Sequence, residues 1–284
     1  MVHSRDVKMN AKKPLLVTTD GSAHSHRVLP HAALLASALG SRLTLLSVLD
    51  RSQVDGRTEA ELRATLARLG IDGDVRAERQ DDGESTAVTI LRVARQMDAA
   101  CLALDSRGYG AIRHVLHGSV ALDLLQNAGL PLLVSGPNLE HEAPGAQPYR
   151  IVAANDGSPA SEAVLRALSP LLEPGRFAVT LLRVHEHEPG GRDDAAAMQA
   201  CRDDLTRARG LLPGDVDVET LVREIPRGAG IDTAIIEKAL ELNARAIALS
   251  THGLSASRHV LMGSVATTML GRSPLPLILA RSDV

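Results

Sequence analysis

The sequence predicts two α/β domains in tandem, each a doubly wound, five-stranded parallel sheet, and three observations lead there. The chain has 284 residues, which suits two units of ordinary domain size better than one. Blocks of sequence recur in the same order in both halves. Within each half, short β-branched or Leu-rich runs alternate with amphipathic helical patterns, as βαβ units and a parallel sheet require.

The repeat sets the boundaries. Leu15 to Ser22 (LLVTTDGS) returns as Ile151 to Ser158 (IVAANDGS), 136 positions on, as from Asp20 to Asp156. Arg113 to Ala121 (RHVLHGSVA) returns as Arg258 to Ala266 (RHVLMGSVA), 145 positions on, and Leu130 to Val134 returns as Leu275 to Leu279. The nine-position difference places a net insertion between Val184 and Ser250, with polar His185 to Gly191 as its natural seat. A Pro-, Gly- and charge-rich stretch without apolar periodicity separates the halves. The expected domains are therefore 1–137 and 148–284, joined by a linker at 138–147.

The elements follow in order. In the first half, strands are expected near 14–19, 43–49, 74–79, 100–105 and 131–135, and helices near 23–39, 57–69, 85–97 and 119–128. In the second, strands fall near 150–154, 177–184, 216–222, 245–249 and 276–280, and helices near 159–171, 193–210, 229–242 and 264–272. Ser158-Pro159 marks one helix start sharply, because Ser caps free N–H groups and Pro suits the first helical position.

Composition excludes several classes of function. With 44% hydrophobic and 23% charged residues the chain is an ordinary globular one. Its net charge of −3 offers no general attraction for a phosphate polymer or an anionic membrane. One Phe, two Tyr and no Trp leave few rings for stacking bases, so nucleic acid is not an expected partner. No run of about 18 apolar residues suggests a membrane span. The polar N-terminus does not read as a signal peptide, and Cys101 and Cys201 occupy unrelated positions, as buried thiols of a cytoplasmic protein would. His185 and His187 flank Glu186, and His24, His26 and His31 cluster near a helix start; both groups are expected as solvated residues, with no metal.

Ligands of open parallel sheets sit beyond the carboxyl ends of the strands. After the first strand each half presents Asp-Gly-Ser (Asp20 to Ser22, Asp156 to Ser158), a carboxylate, a permissive turn and a cap, suited to a ribose hydroxyl or an adenine amine or, alternatively, to a tight turn alone. After the fourth strand come Asp105-Ser106-Arg107-Gly108, nine residues and Gly118-Ser119; the second copy is Ser250-Thr251-His252-Gly253, nine residues and Gly263-Ser264. Glycines admit close backbone approach to a phosphate, and the Gly-Ser pair opens a helix whose N-terminus favours an anion. Arg113 and Arg258, within the spacers, are expected on a solvated face.

These residues resemble the universal stress protein family, whose ATP-binding members carry G-x-x-G-x9-G-[ST] after the fourth strand and an Asp after the first. The resemblance covers both halves and implies the Rossmann-like fold of the adenine nucleotide alpha hydrolase group. It assigns Asp20 and Asp156 to adenosine contacts, and Val48 and Val184 to the adenine pocket. Gly108, Gly118 and Ser119 in the first half, and Gly253, Gly263 and Ser264 in the second, would meet phosphates. Strands 131–135 and 276–280 resemble those through which such domains pair, here within one chain or between two in a homodimer.

Both copies depart from the pattern at the first motif glycine, which is Asp105 in one half and Ser250 in the other. A carboxylate about 5 Å from a phosphate charge costs on the order of 3 kcal/mol at an effective dielectric near 20. The second half is therefore the expected site for ATP or AMP, with Mg accompanying ATP. No nucleophile elbow, Walker lysine, zinc-protease helix or carboxylate cluster points to an enzyme. The readings that stay open are a nucleotide-sensing stress protein, a nucleotide-free interaction scaffold and a slow ATP hydrolase.

Overall fold

The computed structural model describes residues 12–49, 55–106, 119–140, 147–187, 194–251 and 262–281. In the first half, strands β1 (Leu15–Thr19), β2 (Leu43–Leu49), β3 (Asp74–Arg79), β4 (Cys101–Asp105) and β5 (Leu132–Ser135) alternate with helices α1 (Leu29–Leu39), α2 (Asp55–Leu69), α3 (Thr86–Gln96) and α4 (Ser119–Asn127). The second half repeats this plan with β6 (Tyr149–Ala154), β7 (Phe177–His187), β8 (Asp217–Pro226), β9 (Ala246–Ser250) and β10 (Leu277–Ala280). Its helices are α5 (Pro159–Leu168), extended by a 3-10 turn at Ser169–Leu171, α6 (Asp194–Arg209), α7 (Ile231–Glu241) and α8 (Ser264–Arg272).

All ten strands join one sheet, ordered β3-β2-β1-β4-β5-β10-β9-β6-β7-β8. Every pairing is parallel except the central one, where β10 runs antiparallel to β5 with Leu277 opposite Val134 and Leu279 opposite Leu132. The two five-stranded halves thus pair through the strands that the family resemblance implied. Because both edges are consumed in this seam, only β3 and β8 remain as outer edges, and their charged residues discourage further strand addition.

Alternation along each strand divides the core into two layers. Leu15, Val17, Leu45, Cys101, Ala103, Ile151, Ala153, Val179 and Leu181 face the layer of α1, α2, α5 and α6. Leu16, Leu46, Leu102, Leu104, Val152, Leu182, Ile247 and Leu249 face that of α3, α4, α7 and α8. Leu, Val, Ile and Ala fill nearly all of this core, and Tyr149 packs against Phe177, edge-on at 5.9 Å between centroids. Cys101 and Cys201 are free and buried, and burial pushes the Cys101 thiol up to about 12. Among the described residues no helix is long and apolar enough to cross a membrane.

Several expectations are corrected. The helix expected from 23 begins only at Leu29, because Pro30 cannot sit inside a helix and instead occupies its first turn. The second half has Pro159 where the first has Ala23, so α5 starts at once behind its Ser158 cap. His185, Glu186 and His187 are not a solvated loop. They prolong β7 against β8, with His185 opposite Glu224 and His187 opposite Pro226.

The insertion is also divided. The glycines that follow α2 and α6, Gly70 and Gly210, lie 140 positions apart. Asp74 and Glu219, which hold equivalent register positions beside Thr44 and Thr180, lie 145 apart. Four extra residues therefore precede the end of α6 and five follow it. Nor is the start of the linker a free tether. Arg27 donates to the carbonyls of Pro137 (2.9 Å) and Leu139, His31 Nε2 meets Glu140 O at 2.8 Å, and Asn138 donates to Gly271 O at 2.9 Å.

Candidate functional site

The loops after β1 and β6 have the same construction. Ser22 N–H donates to Asp20 Oδ1 (2.9 Å), as Ser158 N–H does to Asp156 Oδ1 (3.1 Å), and each serine hydroxyl caps the next turn by accepting from Ser25 or Ser161 N–H at 3.1 Å. Gly21 and Gly157 adopt φ of 82° and 76°, a left-handed conformation that a side chain would strain. One carboxylate oxygen of each Asp is thus engaged in the turn. The turn role weighed from sequence is realised in both copies, and it holds each carboxylate at the strand end.

Asp20 and Asp156 alternate onto the face of Leu16 and Val152, the α3, α4, α7 and α8 side. Val48 and Val184 pack against that same layer, both partly exposed; Val48 stands near the end of β2, whereas Val184, expected at the end of its strand, lies three residues inside β7 because the strand runs on to His187. The structure therefore brings each Asp and its Val together on one face of the sheet edge. In the second half α8 joins them. Its N-cap, Gly263, is extended (φ −63°, ψ 154°), contributes no side-chain acceptor, and is fixed by its N–H donating to Thr251 O at 2.6 Å. Exposed Ser264 opens the helix. Such an uncapped helix mouth favours an anion.

Other assigned residues are not brought together. Asp105 alternates with Cys101 and Ala103 onto the opposite face, where Ser135 Oγ donates to its Oδ2 at 2.6 Å. The expected direct confrontation of this carboxylate with a phosphate is corrected: strand alternation turns it through the sheet, and only its longer-range charge remains. Ser250 follows Ala246 and Ala248 onto that opposite face too, so its side chain does not join Asp156. The next residues, Ser106 and Thr251, return to the site face. Ser106 is fully buried with its hydroxyl unpartnered, and Thr251 is 3% exposed. Sequence reasoning missed both because they occupy unspecified positions of the motif; the period-2 alternation was the available signal. Gly108, Arg113, Gly118, Gly253 and Arg258 lie outside the described residues, as does the side chain of Ser119.

The flanks of the two sites carry opposite charge. In register beside Val48 stands Glu78, and beside Val184 stands Arg223. Glu78 bonds Arg92 (2.8 Å) and Arg76 (2.7 Å); burial pushes its carboxyl up, but these guanidiniums outweigh it and hold the group below the usual range. Arg92 also bonds Glu84 (3.2 Å) and lowers its pKa. Arg223 bonds Glu237 (2.6 Å) and stands 3.7 Å from Glu241. On the other face His185 Nδ1 lies 3.9 Å from Cys201 Sγ. No group of three His, Cys, Asp or Glu suited to a metal occurs among the described residues.

This geometry was compared with known proteins. The model of the universal stress protein family matches residues 12–135 and again 149–281. The chain belongs to the universal stress protein family. A universal stress protein of Mycobacterium tuberculosis is 29% identical over 197 residues, 66% of this chain and 63% of the relative, so the match spans less than two thirds of that protein. The crystal structure of a universal stress protein from Archaeoglobus fulgidus superposes with a TM-score of 0.64 at 18% identity, covering 95% of this chain and 98% of that one. A Pseudomonas aeruginosa structure gives 0.60 at 18% identity over 96% and 94%. At these identities the likeness speaks for the fold, which extends across both halves and the seam between them.

Proposed function

We propose that this universal stress protein binds an adenine nucleotide, ATP or AMP, at the carboxyl edge of its sheet, more tightly in the second half, and that occupancy regulates its contacts with partners. The observation that carries this reading is the meeting of Asp156, Val184 and the Gly263 mouth of α8 on one face. Val184 supplies an apolar wall for a base, Asp156 an acceptor for a ribose hydroxyl or an amine, and α8 donors for phosphate. Mg²⁺ would accompany ATP. The preference for the second half rests on charge: Ser250 is neutral, whereas Asp105 adds the longer-range charge of a carboxylate on the opposite sheet face of the first half. Binding without turnover in the cytoplasm is the function proposed.

Mass spectrometry of ligand released by denaturing the purified chain tests this directly, and intact ATP or AMP is the expected product. Recovery of ADP alone, with steady turnover of added ATP, would instead favour a hydrolase. Calorimetry on the full chain should show binding abolished by Asp156→Ala and largely retained in Asp20→Ala. The reverse order would contradict the preference between halves.

A second reading, a nucleotide-free scaffold, is favoured by one observation: the Asp20 and Asp156 Oδ1 atoms already serve their own turns. Under it, no nucleotide would be released and the paired halves would act as an interaction platform, as a single chain or as a homodimer.

A further inference from the structure

On the sheet face opposite Asp156, the second half carries two buried donors that no atom of the described residues satisfies. Asn155 N–H donates to Leu182 O at 2.9 Å, which extends the β6 ladder by one residue and sets Asn155 beside Arg183 of β7. By alternation from Ala153 and Leu181, both side chains lie on the face covered by α5 and α6. Asn155 is 3% exposed, and its Oδ1 accepts from Gly157 N–H at 2.9 Å. That bond fixes the amide, because the flipped form would set one N–H against another. Its Nδ2 is buried without an acceptor, and so is Arg183 Nη1.

The surrounding charges do not balance at this point. Arg183 Nη2 stands 4.0 Å from Asp204, but Asp204 gives its short contact, 2.6 Å, to Arg207. Arg207 reaches Glu162 at 3.2 Å, and Glu162 also holds Arg166 at 3.0 Å. Along this series three cations alternate with two carboxylates, and the loosest contact is at Arg183. Asp156, in the same loop, alternates to the other face with its Oδ1 held by Ser158. Gly157 is required here, since a Cβ would strike Asp204 and come within 3.2 Å of Arg183 Nη1.

The first half has no equivalent. Thr19 and Ser47 stand at the positions of Asn155 and Arg183; Thr19 Oγ1 accepts from Gly21 N–H at 2.9 Å and bonds Ser25 Oγ at 2.7 Å. A duplicated loop that is self-satisfied in one copy has acquired two adjacent, desolvated donors in the other. Each such donor is costly when left unmade, and the guanidinium more so.

We propose that Asn155 Nδ2 and Arg183 Nη1 hold a compact monovalent anion of chloride size under the α5 and α6 face of the second half. An anion is favoured because one of the two donors is a guanidinium, and the burial of both nitrogens restricts it to a small one. This site is independent of nucleotide binding, which would use the other face.

The test uses the full chain in sodium chloride and in sodium gluconate at equal ionic strength. Chloride, and not the bulky gluconate, should raise the melting midpoint, by about 3 °C for each tenfold increase above its dissociation constant. ³⁵Cl NMR should show excess line broadening that nitrate competes away. Asn155→Thr and Arg183→Ser, which install the first half's residues, should remove both effects, and Arg183→Lys should weaken them about tenfold. Equal midpoints in the two salts and unbroadened chloride signals in the wild-type chain, as an enclosed water would give, overturn the proposal even if a variant does not fold. Undiminished chloride broadening in Arg183→Ser overturns it as well.

Discussion

Glu78 and Arg92 in the first half occupy the same places as Arg223 and Glu237 in the second, each pair 145 positions apart, with the charges exchanged. The contact survives at 2.8 Å and 2.6 Å while its sign reverses. At this position the fold demands that strand and third helix attract one another, and it is indifferent to which carries the cation. The exchange has a further consequence for a duplicated chain. Were α3 to dock on β8, Arg92 would face Arg223, and α7 on β3 would set Glu237 against Glu78. Reversed polarity therefore penalises exchange of helices between the halves, a characteristic misassembly of tandem domains.

The seam shows a comparable asymmetry. Gly136 follows β5 so closely that a Cβ would fall onto the Leu270 carbonyl, whereas its counterpart Arg281 uses its side chain to reach the Gln126 carbonyl. Gly136→Ala should accordingly have the largest effect, a loss of about 3 kcal/mol in urea unfolding, because backbone has to move. Arg281→Ala should cost less than about 1 kcal/mol. Equal losses would show that the two sides of the seam are equivalent after all.

Reversing one member of the polar pair comes next. Arg92→Glu surrounds a new carboxylate with Glu78, Asp81 and Glu84 and should lower the urea midpoint. Adding Glu78→Arg gives the first half the polarity of the second and should restore part of it; the remainder should return with Glu84→Ala, since the second half has Ala229 there. Absence of any recovery in this cycle would mean that sign is not free at the site.

Acid should separate the halves more gently. The carboxyls of Glu78 and Glu84 are depressed when folded, so their contribution is present above the ordinary value of 4.5 and is lost as pH falls below it through the folded values. The stability difference between the wild type and Arg92→Met should therefore shrink from pH 7 to pH 3, as measured by urea unfolding at each pH. A difference that does not vary with pH would remove the electrostatic account. A comparably small effect concerns Asp105 and Ser135, replaced in the second half by Ser250 and Ala280. Ser135→Ala should cost about 1 kcal/mol. The double change Asp105→Ser with Ser135→Ala should cost less and, by calorimetry, should tighten any nucleotide binding in the first half.

Much of this was legible beforehand because the signals are local and periodic. The Ser158-Pro159 start, the Leu-rich strands and the duplicated Asp-Gly-Ser turns all declare themselves within a few residues. The errors fell where a distant partner decides. His185 to His187 read as polar loop, yet β8 is long enough to pair with them. Asp105 read as a phosphate's neighbour, yet the parity of β4 turns it toward Ser135.

Taken alone, the order of residues determined the duplication, the family and the succession of strands and helices, since each depends on patterns carried along the backbone; the strands of the seam followed only from the family resemblance. The tertiary structure alone decided which face each side chain occupies at the sheet edge, how the nine added residues are shared out, and that Asn155 and Arg183 end side by side. Those depend on register between strands far apart in the chain, where a shift of one residue exchanges the two faces.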